Sequence, residues 1–181
     1  METVIQIDNL NKSFGSVHAV QDLSFRVKRG ELFAFLGVNG AGKSTLLRMM
    51  AGVLKPDSGQ IYIDGEPVWD NPSAKSKFFY ISDDQFYYPN ATPSDLISFY
   101  KNFYPAFDES RFLEFLKSFG LDYNRKINTF SKGMKKQISI LLGICSNASY
   151  IFCDETFDGL DPVMRQAIKS IFAKEIEEKG M

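Results

Sequence analysis

The sequence predicts an α/β fold made of a core, an N-terminal antiparallel β-subdomain and an inserted α-helical subdomain. Three observations predict it. Two segments within the first 30 residues, 2–7 and 22–27, alternate polar and apolar positions, as half-buried strands do. The run ELFAFLG, from Glu31 to Gly37, is almost uniformly apolar and passes through a glycine-rich stretch into the helical pattern STLLRMMAGVL. A block with helical periodicity then lies between two apolar strand patterns, KFFYIS and ASYIFCDE.

Taken in order, ETVIQI (2–7) and DLSFRV (22–27) form antiparallel strands joined around Gly15. Glu31–Gly37 is expected to be a strand covered on both faces, feeding a loop and a helix. After the turn cluster KPDSG, the segment QIYIDGEPVW reads as a hairpin through Asp64 and Gly65, completing the early sheet. Lys77–Ser82 is a further core strand. PSDLISFYKNFY, then DESRFLEFLKSFG with Gly120 as its stop, then Lys132 to Ser146 are helical. The chain returns to a buried strand in ASYIFCDE and ends in DPVMRQAIKSIFAKEIEEKG, with Pro162 in the first helical turn and Gly180 as the stop.

Composition excludes several classes. The 181 residues carry 21 Lys and Arg against 22 Asp and Glu, a net charge of -1, so neither a polybasic nucleic-acid binder nor an acidic tail is indicated, and no nucleic-acid partner is expected. With 44% hydrophobic and 24% charged residues the chain is neither disordered nor collagenous, and can bury roughly 70% of its unfolded surface. No apolar run approaches the ~18 residues needed to cross a bilayer, and METVIQIDNLNKSFG lacks the continuous apolar stretch of a signal peptide. A cytoplasmic location is expected. Cys145 and Cys153 match no common zinc or redox spacing and are expected to be reduced core residues.

The stretch GVNGAGKST, Gly37 to Thr45, fits the phosphate-loop pattern GxxxxGK[ST]. Chance produces that pattern in fewer than roughly one in a hundred chains of this length. Between a strand and a helix, the amides of Gly37, Asn39, Gly40, Ala41, Gly42 and Thr45 can converge on phosphate oxygens, aided by the partial positive charge of the helix N-terminus. Lys43 would reach the β- and γ-phosphates, and the Ser44 hydroxyl would ligate Mg²⁺. YIFCDE places Asp154 and Glu155 at the C-terminal edge of a strand, the edge where open α/β sheets bind ligands. Asp154 suits Mg²⁺, while Glu155 suits the orientation and polarisation of a water that attacks the γ-phosphate, making it the candidate catalytic residue. The core is therefore of the P-loop NTPase type. The single domain, 1–181, divides into a mainly antiparallel β-subdomain (1–30 and 59–70), the P-loop core (31–58, 75–83 and 147–181) and a helical subdomain (84–146).

Beyond these two motifs, TFSKGMKKQ (129–137) resembles the LSGGQ signature of ATP-binding cassette (ABC) transporter nucleotide-binding subunits, and DETFDGLD (154–161) resembles their Walker B and D-loop run. The resemblance spans nearly the whole chain. It implies that Ser131 and Gly133, at a helix start, contact the γ-phosphate held by an opposite subunit, and that Phe14 in LNKSFG stacks on adenine. Phe14 could alternatively be a core residue of the N-terminal sheet. Lys132 and Met134 replace the first glycine and the closing glutamine of the signature, as in many bacterial exporter-type cassettes, and Thr156 stands where proline is usual. The Q-loop position falls on Asp83 or Gln85, either of which would then face the metal. The family's switch histidine lies beyond the end of this chain, so the domain is expected to be truncated at its C-terminal side; His18 reads as a surface residue.

Eleven of the chain's 26 aromatics lie between Phe78 and Phe107. They form either an anchor for a permease helix, which the resemblance places in this region, or the small core of the helical insert. Lys135 and Lys136 read as a solvated helix face. The resemblance thus implies an ATPase bound to the inner face of the membrane through a separate transmembrane permease, in which two cassettes, identical or different, close head to tail around Mg·ATP. Residues 1–181 alone are expected to hydrolyse ATP weakly or not at all. Other readings are a non-transport ABC ATPase of DNA repair or the ribosome, a P-loop phosphotransferase, and a nucleotide-binding module without turnover.

Overall fold

The computed structural model describes residues 2–179 and the side chains as far as Glu177. The stop expected at Gly180 lies outside the described residues. The chain packs as two units, one running to Phe78 and taking in the residues from Ile176 onward, the other Phe79–Glu175.

In the first unit, β1 (Thr3–Phe14) and β2 (Val17–Lys28) pair antiparallel, with Ile5 opposite Val27, Ile7 opposite Phe25 and Phe14 opposite Val17. The expected strands are present and longer than the alternation alone marked. Helix α1 (Lys43–Met50) follows and buries Leu46, Leu47, Met49 and Met50 on one face. Each such side chain contributes roughly 1.5–3 kcal/mol by leaving water. Strand β3 (Ser58–Ile63) pairs with the other edge of β1, Ile7 facing Ile61, and turns back into the two-residue β4 (Glu66–Pro67). Asp64 and Gly65 both hold positive φ, 48° and 76°, as a two-residue hairpin turn matched to strand twist requires. The sheet order is β2-β1-β3-β4. A single turn of helix, α2 (Pro72–Lys75), capped by the Asn71 side chain, carries the chain on.

One expectation fails here. Glu31–Gly37 is not a strand, and it is not buried: Leu36 is 94% exposed, and Leu32 and Val38 are also open to solvent. Phe33 stacks on Phe25 of β2 at 5.0 Å and Phe35 meets the same ring edge-on at 5.5 Å, so the segment lies against the sheet without joining it. A run that is apolar on both faces needs paired neighbours and cover on two sides, and the described residues supply neither.

The second unit is centred on α5 (Lys132–Cys145), whose residues from Gln137 to Cys145 are all buried. Around it stand β5 (Phe78–Ile81), which starts at the unit boundary, its sheet partner β6 (Tyr150–Cys153), and helices α3 (Pro93–Lys101), α4 (Glu109–Ser118) and, as far as Glu175, α6 (Pro162–Lys179). The helix starts carry their own signals. Thr92 and Asp95 close a reciprocal capping box on α3, Asp108 caps α4, and the Asp161 carboxylate accepts from the Met164 amide at the start of α6. Gly120 follows the end of α4 with φ 66°, the stop its position suggested. Phe79, Ile81, Phe112, Leu116, Ile127 and the inward residues of α5 form the core. Cys145 and Cys153 are free thiols of this unit, in keeping with the reduced state expected, and burial pushes the Cys153 thiol up to about 11.

Candidate functional site

The phosphate loop belongs to the first unit. Gly40 and Gly42 sit at φ 84° and 85°, and the N-cap of α1 is Gly42 itself. A Cβ on Gly42 would lie 2.1 Å from the carbonyl oxygen of Ala19 in β2, so glycine is required there by space as well as by conformation. The Lys43 ammonium donates to the carbonyl oxygens of Gly37 and Val38 at 2.8 and 2.9 Å, drawing the loop into an arc around its own lysine. Asn39, Gly40 and Ala41 are exposed, and Lys43, Ser44 and Thr45 are half-buried in the first turn of α1. This is an accessible anion cradle at a helix N-terminus. Phe14, at the end of β1, is 50% exposed with the Lys12 ammonium 5.6 Å from its ring centre, so it is not a core residue of the sheet. His18 is exposed and shares a 2.9 Å hydrogen bond with the Ser13 hydroxyl.

The carboxylates belong to the second unit. Asp154 is buried, its amide donating to the Ile81 carbonyl and one carboxylate oxygen accepting from the Tyr80 hydroxyl at 3.1 Å. Glu155, the next residue, is exposed and takes φ 46°, a left-handed conformation uncommon for a residue with a side chain. The two neighbours thus have opposite surroundings, one fixed and one open to solvent. Hydroxyl and carboxylate oxygens such as those of Ser44 and Asp154 are hard donors that fit Mg²⁺. Among the described residues no cluster of three or more His, Cys, Asp or Glu could hold a metal alone.

Ser131 caps α5, its hydroxyl accepting from the Met134 amide at 3.2 Å, and Gly133 follows in the first turn. Both Ser131 and Lys132 are exposed, leaving this helix start open to an incoming anion. Of the two Q-loop candidates, Asp83 is committed to an ion pair with Lys136 at 3.0 Å, while the buried amide nitrogen of Gln85 has no hydrogen-bond partner. Lys136 is not part of a solvated face. Its side chain is 13% exposed, and besides Asp83 its ammonium donates to the carbonyl oxygens of Glu155 and Asp158 at 2.8 and 2.9 Å.

The aromatics from Phe78 to Phe107 divide between the two readings. Phe79 and Phe107 are buried and Tyr87, Tyr100 and Tyr104 pack on the core, whereas Phe86, Tyr88, Phe99 and Phe103 are exposed. Two polar residues of the site escaped the sequence reading. Tyr80 occupies a half-buried position of the strand FFYI, the place where an aromatic body can bury while its hydroxyl reaches a partner. Lys136 lies four residues before Ile140 and seven before Gly143, both buried, so it ends an inward stripe of α5 rather than an outward one.

Fold and loop together define a P-loop nucleotide-binding protein. The model of the ABC transporter family matches residues 20–158, and the chain belongs to that family. It is 30% identical, over 97% of its length and 60% of the relative's, to the ABC transporter ATP-binding protein YtrB of Bacillus subtilis (strain 168). It is 34% identical, over 97% of its length and 59% of the relative's, to the bacitracin transport ATP-binding protein BcrA of Bacillus licheniformis. A solved structure of an ATP-binding subunit of an ABC transporter superposes with a TM-score of 0.86 at 27% identity, covering 97% of this chain and 76% of that one. The chain spans about three fifths of the length of these curated relatives.

Proposed function

We propose that the chain is the ATP-binding and ATP-hydrolysing part of a transporter subunit that drives a separate transmembrane permease, in the export direction, through ATP-dependent head-to-tail pairing of two cassettes. No helix among the described residues is long and apolar enough to cross a membrane, so the permease supplies the path and holds the cassette at the inner face. The exporter reading is supported by a 33% identical relative of Bacillus subtilis (strain 168) named for SkfA peptide export and by Lys132 and Met134 in the signature.

The observation that carries the proposal is the exposed start of α5, where the Ser131 cap and Gly133 present a helix N-terminus to an anion. In this reading the loop amides and Lys43 grip the phosphates, Lys43 exchanging its two loop carbonyls for phosphate oxygens. Phe14 offers its exposed ring to adenine. Ser44 and Asp154 would hold Mg²⁺, which neutralises charge on the β- and γ-phosphates when bound. Glu155 orients and polarises the attacking water, and Ser131 with Gly133 contact the γ-phosphate held by the other copy. ATP can favour the closed pair only by binding it better than the open one, and the signature contacts are where that difference arises. Glu155→Gln in the full-length chain should abolish turnover while ATP is still bound. Undiminished turnover in that variant removes Glu155 from its role.

A further inference from the structure

We infer that Lys136 is a positioning residue for Glu155, acting from the signature helix on the backbone of the carboxylate turn. This rests on the functional reading above. An ammonium has three N–H donors and no acceptor, and here three oxygens surround it: the carbonyls of Glu155 and Asp158 at 2.8 and 2.9 Å and the carboxylate of Asp83 at 3.0 Å. Its side chain is largely withdrawn from water, and a withdrawn charge is retained only where its donors are satisfied.

The two carbonyls bracket one turn. The Asp158 amide donates to the Glu155 carbonyl at 3.2 Å, so the ammonium and that amide share the same acceptor while the ammonium also takes the carbonyl at the far end. Glu155 sits at φ 46° within this turn. A strained residue persists where its surroundings over-determine it, and Lys136 is the group that does so here. The third partner, Asp83, belongs to the segment after β5, and the same segment is tied again to α5 where the Tyr87 hydroxyl donates to the Lys135 carbonyl at 2.9 Å. One side chain of α5 therefore joins the start of the signature helix, the turn bearing the candidate base and the segment bearing both Q-loop candidates. A shift of about 1 Å at a reacting group can cost about a hundredfold in rate, so the grip on the Glu155 backbone bears directly on turnover.

The test uses the full-length chain as wild type, Lys136→Met and Lys136→Arg. Two readouts are taken: hydrogen exchange of the Glu155–Gly159 amides without nucleotide, and steady-state ATP hydrolysis beside nucleotide affinity. In Lys136→Met, exchange in the turn should rise at least about tenfold at unchanged exchange in the core of α5. Turnover should fall about ten- to a hundredfold with nucleotide affinity changed less than about threefold. Lys136→Arg, which can still donate to two carbonyls, should recover part of both. Unchanged exchange in Lys136→Met overturns the inference whether or not the chain hydrolyses ATP. Raised exchange with undiminished turnover overturns the catalytic half. A wild-type chain that binds and hydrolyses no ATP overturns the functional reading itself, and the exchange readout still decides whether Lys136 holds the turn.

Discussion

The hydroxyl of Tyr80 in β5 donates to the carboxylate of Asp154 at the end of β6, 3.1 Å away, while the Asp154 amide donates to the carbonyl of Ile81 beside it. Side chain and backbone of the candidate metal ligand are thus both set by one neighbouring strand. Residues that orient a ligand typically change metal affinity by about ten- to a hundredfold when removed. Tyr80→Phe in the full-length chain should raise the Mg²⁺ concentration needed for half-maximal nucleotide retention by about tenfold, at a stability loss of about 1 kcal/mol. Titration of bound nucleotide against Mg²⁺ checks it, and an unshifted midpoint would show that Tyr80 leaves Asp154 unaffected.

Gly42 and Gly40 share a left-handed conformation but not a steric situation. The Cβ of an alanine at Gly42 would press on the Ala19 carbonyl oxygen at 2.1 Å, whereas at Gly40 it meets nothing within 4 Å. Gly40→Ala should therefore cost only the left-handed strain, about 1–2 kcal/mol. Gly42→Ala should cost more and displace the start of α1. Denaturant unfolding of the two variants side by side gives the comparison, and equal losses would contradict it.

Arg111 of α4 pairs with Glu175 of α6, whose carboxylate is fully buried. Removing one partner of a buried pair leaves a charge without compensation and typically costs about 3–5 kcal/mol; because Arg111 keeps about a quarter of its side chain exposed, a loss near 3 kcal/mol is expected for Arg111→Met. The double variant Arg111→Met with Glu175→Met should recover most of that loss. Urea midpoints for the four members of the cycle measure the coupling directly.

Burial raises the Cys153 thiol from 9.0 to about 11. The folded state therefore holds the proton more tightly than the unfolded state, so this group's contribution to stability is fully present below pH 9 and declines as pH climbs from 9 toward 11. Stability measured across that window should fall in wild type and fall less in Cys153→Ala. Identical slopes would mean that the thiol does not contribute.

What the sequence made legible was set by how local each signal is. The Asp64–Gly65 turn and the Gly120 stop depend on a few adjacent residues, and each stands where the pattern placed it. The phosphate loop was legible for the same reason. Glu31–Gly37 was not, because an apolar run states that burial is demanded without naming what supplies it, and the described residues leave Leu32 and Leu36 in water. Lys136 was missed because two adjacent lysines look alike in a sequence. Only the direction of the α5 face, turned by the buried run from Gln137 to Cys145, separates the one that grips three oxygens from its neighbour.

The central claim is that the nucleotide gripped by one cassette is capped by Ser131 of another. Its most direct measurement is the solution mass of full-length Glu155→Gln with Mg·ATP, with and without the further change Ser131→Arg. The claim requires a nucleotide-dependent dimer for the single variant and a nucleotide-bound monomer for the double variant. A single variant that stays monomeric when saturated with ATP, or a dimer indifferent to arginine at position 131, would contradict it.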